Sequence, residues 1–142
     1  MRLPIQTLIV LYYKEEDSIK YFLAKRTEQK GGFWQPISGG LVNGETLRES
    51  AIREVREETG LKVLNLTRCD YIYQFQDEKG FWLTEYLFIG EVLSKDVHLS
   101  EEHEQYRWVS LDLGLELLKY ENNKEALKKA HESIHKCELK RE

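Results

Sequence analysis

The pattern of apolar and polar positions predicts strands in the first third of the chain. Apolar, β-branched and aromatic residues dominate positions 5–13 and 21–27, which are separated by a polar turn at 14–18. This composition and punctuation are typical of two successive strands. The next segment, 28–44, contains five glycines and one proline, so it is predicted to be a loop with turns and short strands.

The second half of the chain continues the alternation of element types. Positions 63–76 and 81–93 are rich in aromatic and branched apolar residues and flank the turn residues 77–80, which predicts a long hairpin. A loop at 94–105 then leads to a short strand at 106–110, followed by helices at about 111–120 and 123–137. The last helix carries one apolar face, which we interpret as core-facing: Leu127, Ala130, Ile134 and Cys137.

Residues 47–59 form the most clearly bounded helix. Thr46 followed three residues later by Glu49 is a capping box, and Gly60 supplies the left-handed residue that commonly ends a helix. Leu47, Ala51, Ile52 and Val55 make one apolar arc on this helix. Three glutamates lie at the border of that arc rather than toward open solvent: Glu54, Glu57 and Glu58.

This acidic cluster is unfavourable for the isolated helix. Glu54 forms like-charge pairs with Glu57 and Glu58, each costing about 0.2–0.5 kcal/mol, and the helix dipole disfavours anions in the C-terminal half. A hard divalent cation removes both penalties, because Mg²⁺ is bound by a few carboxylates together with phosphate oxygens. A solvated, charge-rich helix is the alternative, and it accounts for the Glu49–Arg53 pair but not for acids at the apolar border. The cluster therefore predicts a metal site.

Length, composition and charge narrow the class of protein. With 142 residues, 41% of them hydrophobic and 32% charged, the chain is expected to be a single domain over residues 1–142. The net charge of −4 offers no basic surface for duplex nucleic acid, and two cysteines are too few for a disulfide framework. The apolar start, residues 1–13, is too short to span a bilayer. We expect a cytoplasmic protein without membrane contact.

One spacing links these observations to a known family. Gly39, Glu45, the run Arg53-Glu54-Val55, the pair Glu57-Glu58 and the pair Gly60-Leu61 together resemble the Nudix box. The resemblance implies an α/β fold, the Nudix α/β/α sandwich with a mixed sheet, which the alternation of elements also favours. It also implies a hydrolase that uses Mg²⁺ or Mn²⁺ to cleave a nucleoside diphosphate linked to another group. A homodimer is common in the family.

The resemblance also implies roles for the box residues. Glu54 and Glu58 would be the main metal ligands, with Glu57 as a further ligand or a base and the backbone carbonyl of Gly39 as an extra ligand. Arg53 and Glu45 are expected to pair and fix the loop against the helix, although Arg53 could instead contact substrate. Gly60 is expected to have a structural role near the end of the box.

A base from outside the helix is expected in the acidic loop before Trp108. Glu102 is the candidate, because a late glutamate acts in several branches of the family. The alternative is that the acids of this loop are ordinary surface residues. His103 is as readily interpreted as a hydrogen-bonded structural histidine.

Similarities shorter than the box indicate which substrate the protein would hydrolyse. The run 32–35, the pair 84–85 and the pair 102–103 are similar to the branch that hydrolyses dihydroneopterin triphosphate and dATP, whereas Pro36 resembles the dinucleoside polyphosphate and RNA-cap branches. A nucleotide-binding sensor is the third hypothesis. Arg26 is a candidate phosphate contact. The candidates for stacking on a base are aromatic, with Trp34 first: Trp34, Phe33, Phe75 and Trp82.

Overall fold

Seven strands form one mixed sheet in the computed structural model, which describes the backbone of residues 3–140 and the side chains of residues 3–136. The strands are β1 (Ile5–Lys14), β2 (Ile19–Arg26), β3 (Trp34–Gln35), β4 (Ile37–Gly40), β5 (Leu64–Gln76), β6 (Trp82–Glu91) and β7 (His103–Val109). The helices are α1 (Leu47–Thr59), α2 (Leu111–Leu117) and α3 (Glu121–Lys140). A short 3-10 turn, Glu28–Lys30, follows β2.

The first strand organises the sheet. Along one edge β1 pairs in parallel with β6, and along the other it pairs antiparallel with β4 and then with β2. The predicted hairpin joins β5 to β6, and β7 pairs with β2 on the edge away from β1. The glycine-rich segment that forms β4 is therefore held directly beside the most buried strand.

Helices cover both faces of the sheet. On one face α1 buries Ala51 and Val55 completely, and full burial of a valine side chain contributes about 1.5–3 kcal/mol. On the other face α3 buries Leu127, Ala130 and Ile134. The predicted α/β/α sandwich with a mixed sheet is confirmed. The side chain of Cys137, predicted to share the face of α3, lies outside the described residues.

The ends of α1 are capped as the sequence predicts. The Thr46 side chain accepts a hydrogen bond from the Glu49 backbone N–H at 3.0 Å, and the Glu49 carboxylate accepts one from the Thr46 N–H at 3.0 Å. At the other end Gly60 has a φ of 73° and its N–H donates to the Arg56 carbonyl. Among the described helices, none is both long and apolar enough to cross a membrane.

Several element boundaries differ from the predictions, and α2 ends at Leu117 rather than at about position 120. The last strand begins at His103, not at position 106, because its backbone pairs with β2 from Arg26 onward although its side chains are polar. Most side chains at the start of β7 are exposed, so the apolar signal that marks a strand is missing there. The last helix is longer at both ends than the predicted 123–137.

Candidate functional site

The three predicted carboxylates of α1 do not share one environment. Glu54 and Glu58 are buried, with 7% and 6% of their surface exposed, whereas the Glu57 side chain is 55% exposed. The spacing of four residues places Glu54 and Glu58 on the sheet-facing side of the helix together with Ala51 and Val55. Glu57 precedes Glu58 by one residue, about 100° around the helix axis, and its side chain points to solvent. The prediction that Glu57 turns away from solvent is therefore wrong.

Gly39 makes room for the Glu54 carboxyl group. A side-chain Cβ at position 39 would overlap the Glu54 carboxyl, so any other residue here would have to displace that carboxyl. Burial raises the pKa of Glu54 to about 7, although the adjacent Arg53 guanidinium opposes that change. A buried carboxyl held against the backbone of β4 is the feature expected of a ligand site that also uses the Gly39 carbonyl.

One guanidinium connects the acids. Arg53 donates through Nε to Glu45 Oε2 at 2.6 Å and through Nη2 to Glu45 Oε1 at 3.0 Å, so the expected pair is bidentate. Its Nη1 donates to Glu54 at 2.9 Å and to Glu57 at 3.1 Å, and its Nη2 donates to the Gly40 carbonyl at 3.1 Å. The hydrogen bond from Arg53 lowers the pKa of Glu45. Arg53 thus ties the loop before α1 to the helix and to β4.

Two residues near the start of β7 contact Glu58: Ser100, in the loop before the strand, and His103, its first residue. Glu58 Oε2 accepts a hydrogen bond from Ser100 Oγ at 2.8 Å and lies 2.8 Å from His103 Nδ1. Burial alone would raise the pKa of Glu58, but the contacts with His103 and Ser100 outweigh burial and lower it. Sequence reasoning did not identify Ser100, because serine is a common residue in polar loops.

The structure does not bring Glu102 to the acids of α1. Its side chain is 52% exposed and lies 3.7 Å from Lys30. Its neighbour His103, the first residue of β7, is buried instead. On the far side of the His103 ring, Nε2 lies 3.0 Å from Gln35 Nε2. Glu58, His103 and Gln35 therefore form a buried polar chain.

The buried polar series from Glu58 through His103 to Gln35 ends at a cavity of about 440 Å³ on the α3 side of the sheet. Gln35, Arg26 and Phe33 belong to its wall. The Arg26 guanidinium lies 5.5 Å from the centre of the Phe33 ring, and its positive charge contributes to the lowered pKa of Glu58. Arg26 therefore acts electrostatically on the acids while it lines the cavity.

Two of the four aromatic candidates lie at this cavity. Phe33 and Phe75 line it, whereas Trp34 packs against the core and pairs through its backbone with Leu118. Trp34 and Gln35 are adjacent in β3 and point in opposite directions, so only one of them can face the cavity. Trp82 is 62% exposed and lines a separate depression on the hairpin. The structure thus favours Phe33 and Phe75 over Trp34 as ring contacts.

Glu85 is a cavity residue that the sequence did not single out as a site. It lies on β6, is 6% exposed and takes a hydrogen bond from the Asn122 side chain. Burial raises its pKa to about 7, and the bond from Asn122 opposes this only in part. A charged residue in the middle of a largely apolar strand was the signal available.

The raised pKa predicts that Glu85→Gln stabilises the protein in a pH-dependent manner. Below about pH 4.5 the carboxyl is protonated in both states, so the effect is small; between about pH 4.5 and 7 the unfolded chain loses its proton first, so native stability falls as pH rises. The variant lacks this loss and should gain about 1–3 kcal/mol above pH 7. Urea unfolding across pH measures it, with exposed Glu78→Gln as the control. An advantage that does not grow with pH would contradict the prediction.

The acids fit a hard divalent cation held in part by substrate. No group of three His, Cys, Asp or Glu side chains within residues 3–136 encloses a metal position by itself. Mg²⁺ commonly takes one or two carboxylates and completes its shell with water and substrate phosphates. The buried, oxygen-only pair Glu54 and Glu58 beside the Gly39 backbone agrees with such an open site.

Comparison with known proteins places this site in a family. The NUDIX domain model matches residues 3–130. The chain is 31% identical over 138 residues to the octanoyltransferase of Myxococcus xanthus, covering 89% of this chain but 37% of that protein. It is 28% identical over 129 residues to the asymmetrical bis(5'-nucleosyl)-tetraphosphatase of Mus musculus, covering 85% of each. Identity to the dihydroneopterin triphosphate diphosphatase of Haemophilus influenzae is 29% over 135 residues, covering 86% and 84%.

The fold comparison agrees with the family model. A solved NUDIX-type structure from Listeria monocytogenes superimposes with a TM-score of 0.80 at 29% identity, covering 94% of this chain and 96% of that one. The match includes the capped helix, its acids and the glycine-bearing strand beside it. The chain belongs to the Nudix hydrolase family.

Proposed function

We propose that this protein hydrolyses a nucleoside or pterin triphosphate between its α and β phosphates, with Mg²⁺ or Mn²⁺ as the cofactor. The products are the monophosphate and pyrophosphate. The observation that carries the proposal is the burial of Glu54 and Glu58 side by side on α1, with the Glu54 carboxyl against Gly39. The one guanidinium that contacts Glu54 is shared with Glu45 and Glu57, so carboxylates outnumber it here, and this arrangement favours a cation held together with a polyphosphate.

In this proposal Glu54 and Glu58 hold the ion, together with the Gly39 carbonyl, and Glu57 is a further ligand or the base. When bound, the ion neutralises phosphate charge and activates a water molecule. Phosphoryl transfer requires such neutralisation and in-line positioning more than covalent assistance. The protein therefore has to hold its carboxylates rigidly, and Arg53, Ser100 and His103 provide the contacts that do so.

The cavity residues would position the substrate. Arg26 lies between the aromatic wall and the acids, so it can bind a phosphate whose ring occupies the cavity. Water oxygen then attacks phosphorus, the bridging P–O bond breaks toward the leaving phosphate, and a carboxylate accepts the proton of the water. Glu57 is a better candidate for that base than Glu102, since Glu57 shares Arg53 with Glu54, whereas Glu102 contacts Lys30 at the surface.

The alternative is a dinucleoside polyphosphate hydrolase. The murine relative is a bis(5'-nucleosyl)-tetraphosphatase, its match covers as much of the chain as the Haemophilus match, and Pro36 resembles that branch. The triphosphate is favoured because one cavity, which Gln35 and His103 link to Glu58, has two aromatic pairs in its wall.

A substrate panel separates these possibilities. The protein is incubated in Mg²⁺ with nucleoside triphosphates, dihydroneopterin triphosphate and Ap4A, and the products are identified by chromatography. Monophosphate plus pyrophosphate supports the proposal, whereas ATP plus AMP from Ap4A supports the alternative. Binding without turnover of any compound would indicate a sensor and contradict both.

Gly39→Ala is expected to reduce turnover with a limited loss of stability. The added methyl group overlaps the Glu54 carboxyl and must displace it, and displacement of a reacting group by about 1 Å can lower the rate by about 10²-fold. Overpacking of this kind costs about 1–3 kcal/mol. Steady-state kinetics together with thermal unfolding measure both effects. Wild-type kcat would show that the Glu54 position is not needed for turnover.

A further inference from the structure

The cavity that Gln35 and His103 link to Glu58 is also lined by polar residues that have no part in the chemistry proposed above. Glu85 lies there on the α3 face of the sheet, 6% exposed, with the Asn122 side chain donating to its carboxylate. Asn123, which is 7% exposed, lines the same cavity. Arg26 is the cation of this lining. The cavity therefore offers a guanidinium for phosphate and, separately, a carboxylate for another part of the ligand.

The walls of the cavity suit a flat ring. Phe33 and Tyr120 contact each other edge to face, with ring centres 5.2 Å apart and planes at 85°. Tyr73 and Phe75 from β5 are stacked, with centres 6.0 Å apart and planes at 26°. Both pairs line the cavity, which is large enough for one heterocycle. Aromatic walls hold a ring by stacking but do not distinguish one ring from another.

The carboxylate supplies the distinction that stacking lacks. Ionised Glu85, the form that prevails above about pH 7, presents two neighbouring acceptor oxygens and no donor. A ring N–H beside an exocyclic amino group, as in guanine and pterin, offers two parallel donors to such a pair of acceptors. Adenine instead places a ring nitrogen acceptor beside its amino group, so one carboxylate oxygen would face a lone pair. Unmatched polar groups of this kind are strongly disfavoured in a buried site.

We propose that Glu85 is a specificity-determining residue, which accepts two hydrogen bonds from the ring N–H and the 2-amino group of a 2-amino-4-oxopyrimidine ring. Guanine and pterin share this ring, so either triphosphate satisfies the site, and adenine nucleotides do not. The inference rests on the proposed function for the direction of the ligand, with its phosphates toward Arg26 and its ring at Glu85. It does not depend on which residue is the base.

The test compares GTP with ITP, which differs from GTP only in lacking the 2-amino group. In the wild type, kcat/KM for GTP should exceed that for ITP by about tenfold or more, because a hydrogen bond to a charged group is lost. In Glu85→Gln, which keeps the shape but replaces one acceptor with a donor, GTP should lose about 10- to 100-fold and the GTP/ITP ratio should approach one. ATP should be used better by this variant than by the wild type, because the glutamine offers one donor and one acceptor, which match the ring nitrogen and the amino group of adenine. The control Glu78→Gln, an exposed carboxyl on the rim of the same cavity, should leave the ratio unchanged.

The outcomes separate this inference from the proposed function. Equal use of GTP and ITP by the wild type overturns the inference without any variant, and so does an unchanged GTP/ITP ratio in Glu85→Gln, while hydrolysis itself stands in both cases. If no triphosphate is hydrolysed, calorimetry with GMP and IMP decides. Tighter binding of GMP by the wild type, lost in Glu85→Gln, supports the role of Glu85 even though the proposed reaction fails.

Discussion

Glu58→Gln is expected to lower kcat by at least about 10²-fold while the protein stays folded. The substitution removes the negative charge at one of the two buried carboxylates of α1, and a bound metal ion supplies several kcal/mol of transition-state stabilisation that depends on its ligands. Each 1.36 kcal/mol lost corresponds to a tenfold lower rate. Glutamine has the same shape, and its carbonyl oxygen can still accept the hydrogen bond from Ser100. Relief of repulsion with Glu54 opposes the loss of the His103 contact, so Tm should change by only a few degrees.

Kinetics at increasing Mg²⁺ concentration measure this effect, and calorimetry shows whether Mn²⁺ affinity falls as well. Glu49→Gln is the matched control, because Glu49 is an exposed glutamate of the same helix and glutamine also completes a capping box. The control should keep wild-type kcat. Wild-type turnover by Glu58→Gln would remove the metal interpretation of the cluster.

The sequence predicted the frame of this site because local signals agreed with the fold. The capping box at Thr46 and the glycine at position 60 predicted both ends of α1 to the exact residue. The apolar periodicity predicted which face of the helix packs against the core. The parallel pairing of β1 with β6 could not be predicted in the same way. Paired residues such as Ile5 and Thr84 lie 79 positions apart, and neither strand carries a local signal that identifies its partner.

Side-chain contacts across elements were the part that the sequence could not supply. The spacing of the three glutamates indicated a cluster, but not that Glu57 would face solvent, because helical periodicity gives angles and not the position of the covering loop. Ser100 and His103 reach Glu58 from a segment more than 40 residues away. Glu85 illustrates the same limit, since its role depends on Asn122 and on aromatic walls contributed by other elements.

Arg53→Lys is expected to lower both kcat and stability, because a lysine cannot reproduce the contacts of this guanidinium. The guanidinium holds Glu45 with two parallel hydrogen bonds and reaches Glu54 and Glu57 with its remaining nitrogen, whereas an ammonium is a point charge without the planar fork. Leaving charged partners imperfectly satisfied in a partly buried site costs about 1–3 kcal/mol. Since Glu54 would no longer be fixed, kcat should fall by about 10²-fold. Arg56→Lys, at an exposed position on the same helix, is the control and should change neither quantity.

A double-mutant cycle decides whether Arg53 acts by positioning the loop and helix. Glu45 makes its contacts with Arg53 and with the Val42 backbone N–H, so Glu45→Gln disrupts the same tie from the other side. If Arg53 acts by linking the loop to the helix through Glu45, the double variant should lose little more activity and stability than Arg53→Lys alone, because the effects of substitutions within one network do not add. Losses that add fully, with kcat reduced only by Arg53→Lys, would instead mean that the guanidinium contacts the substrate. An Arg53→Lys variant with wild-type kcat and Tm would contradict both roles.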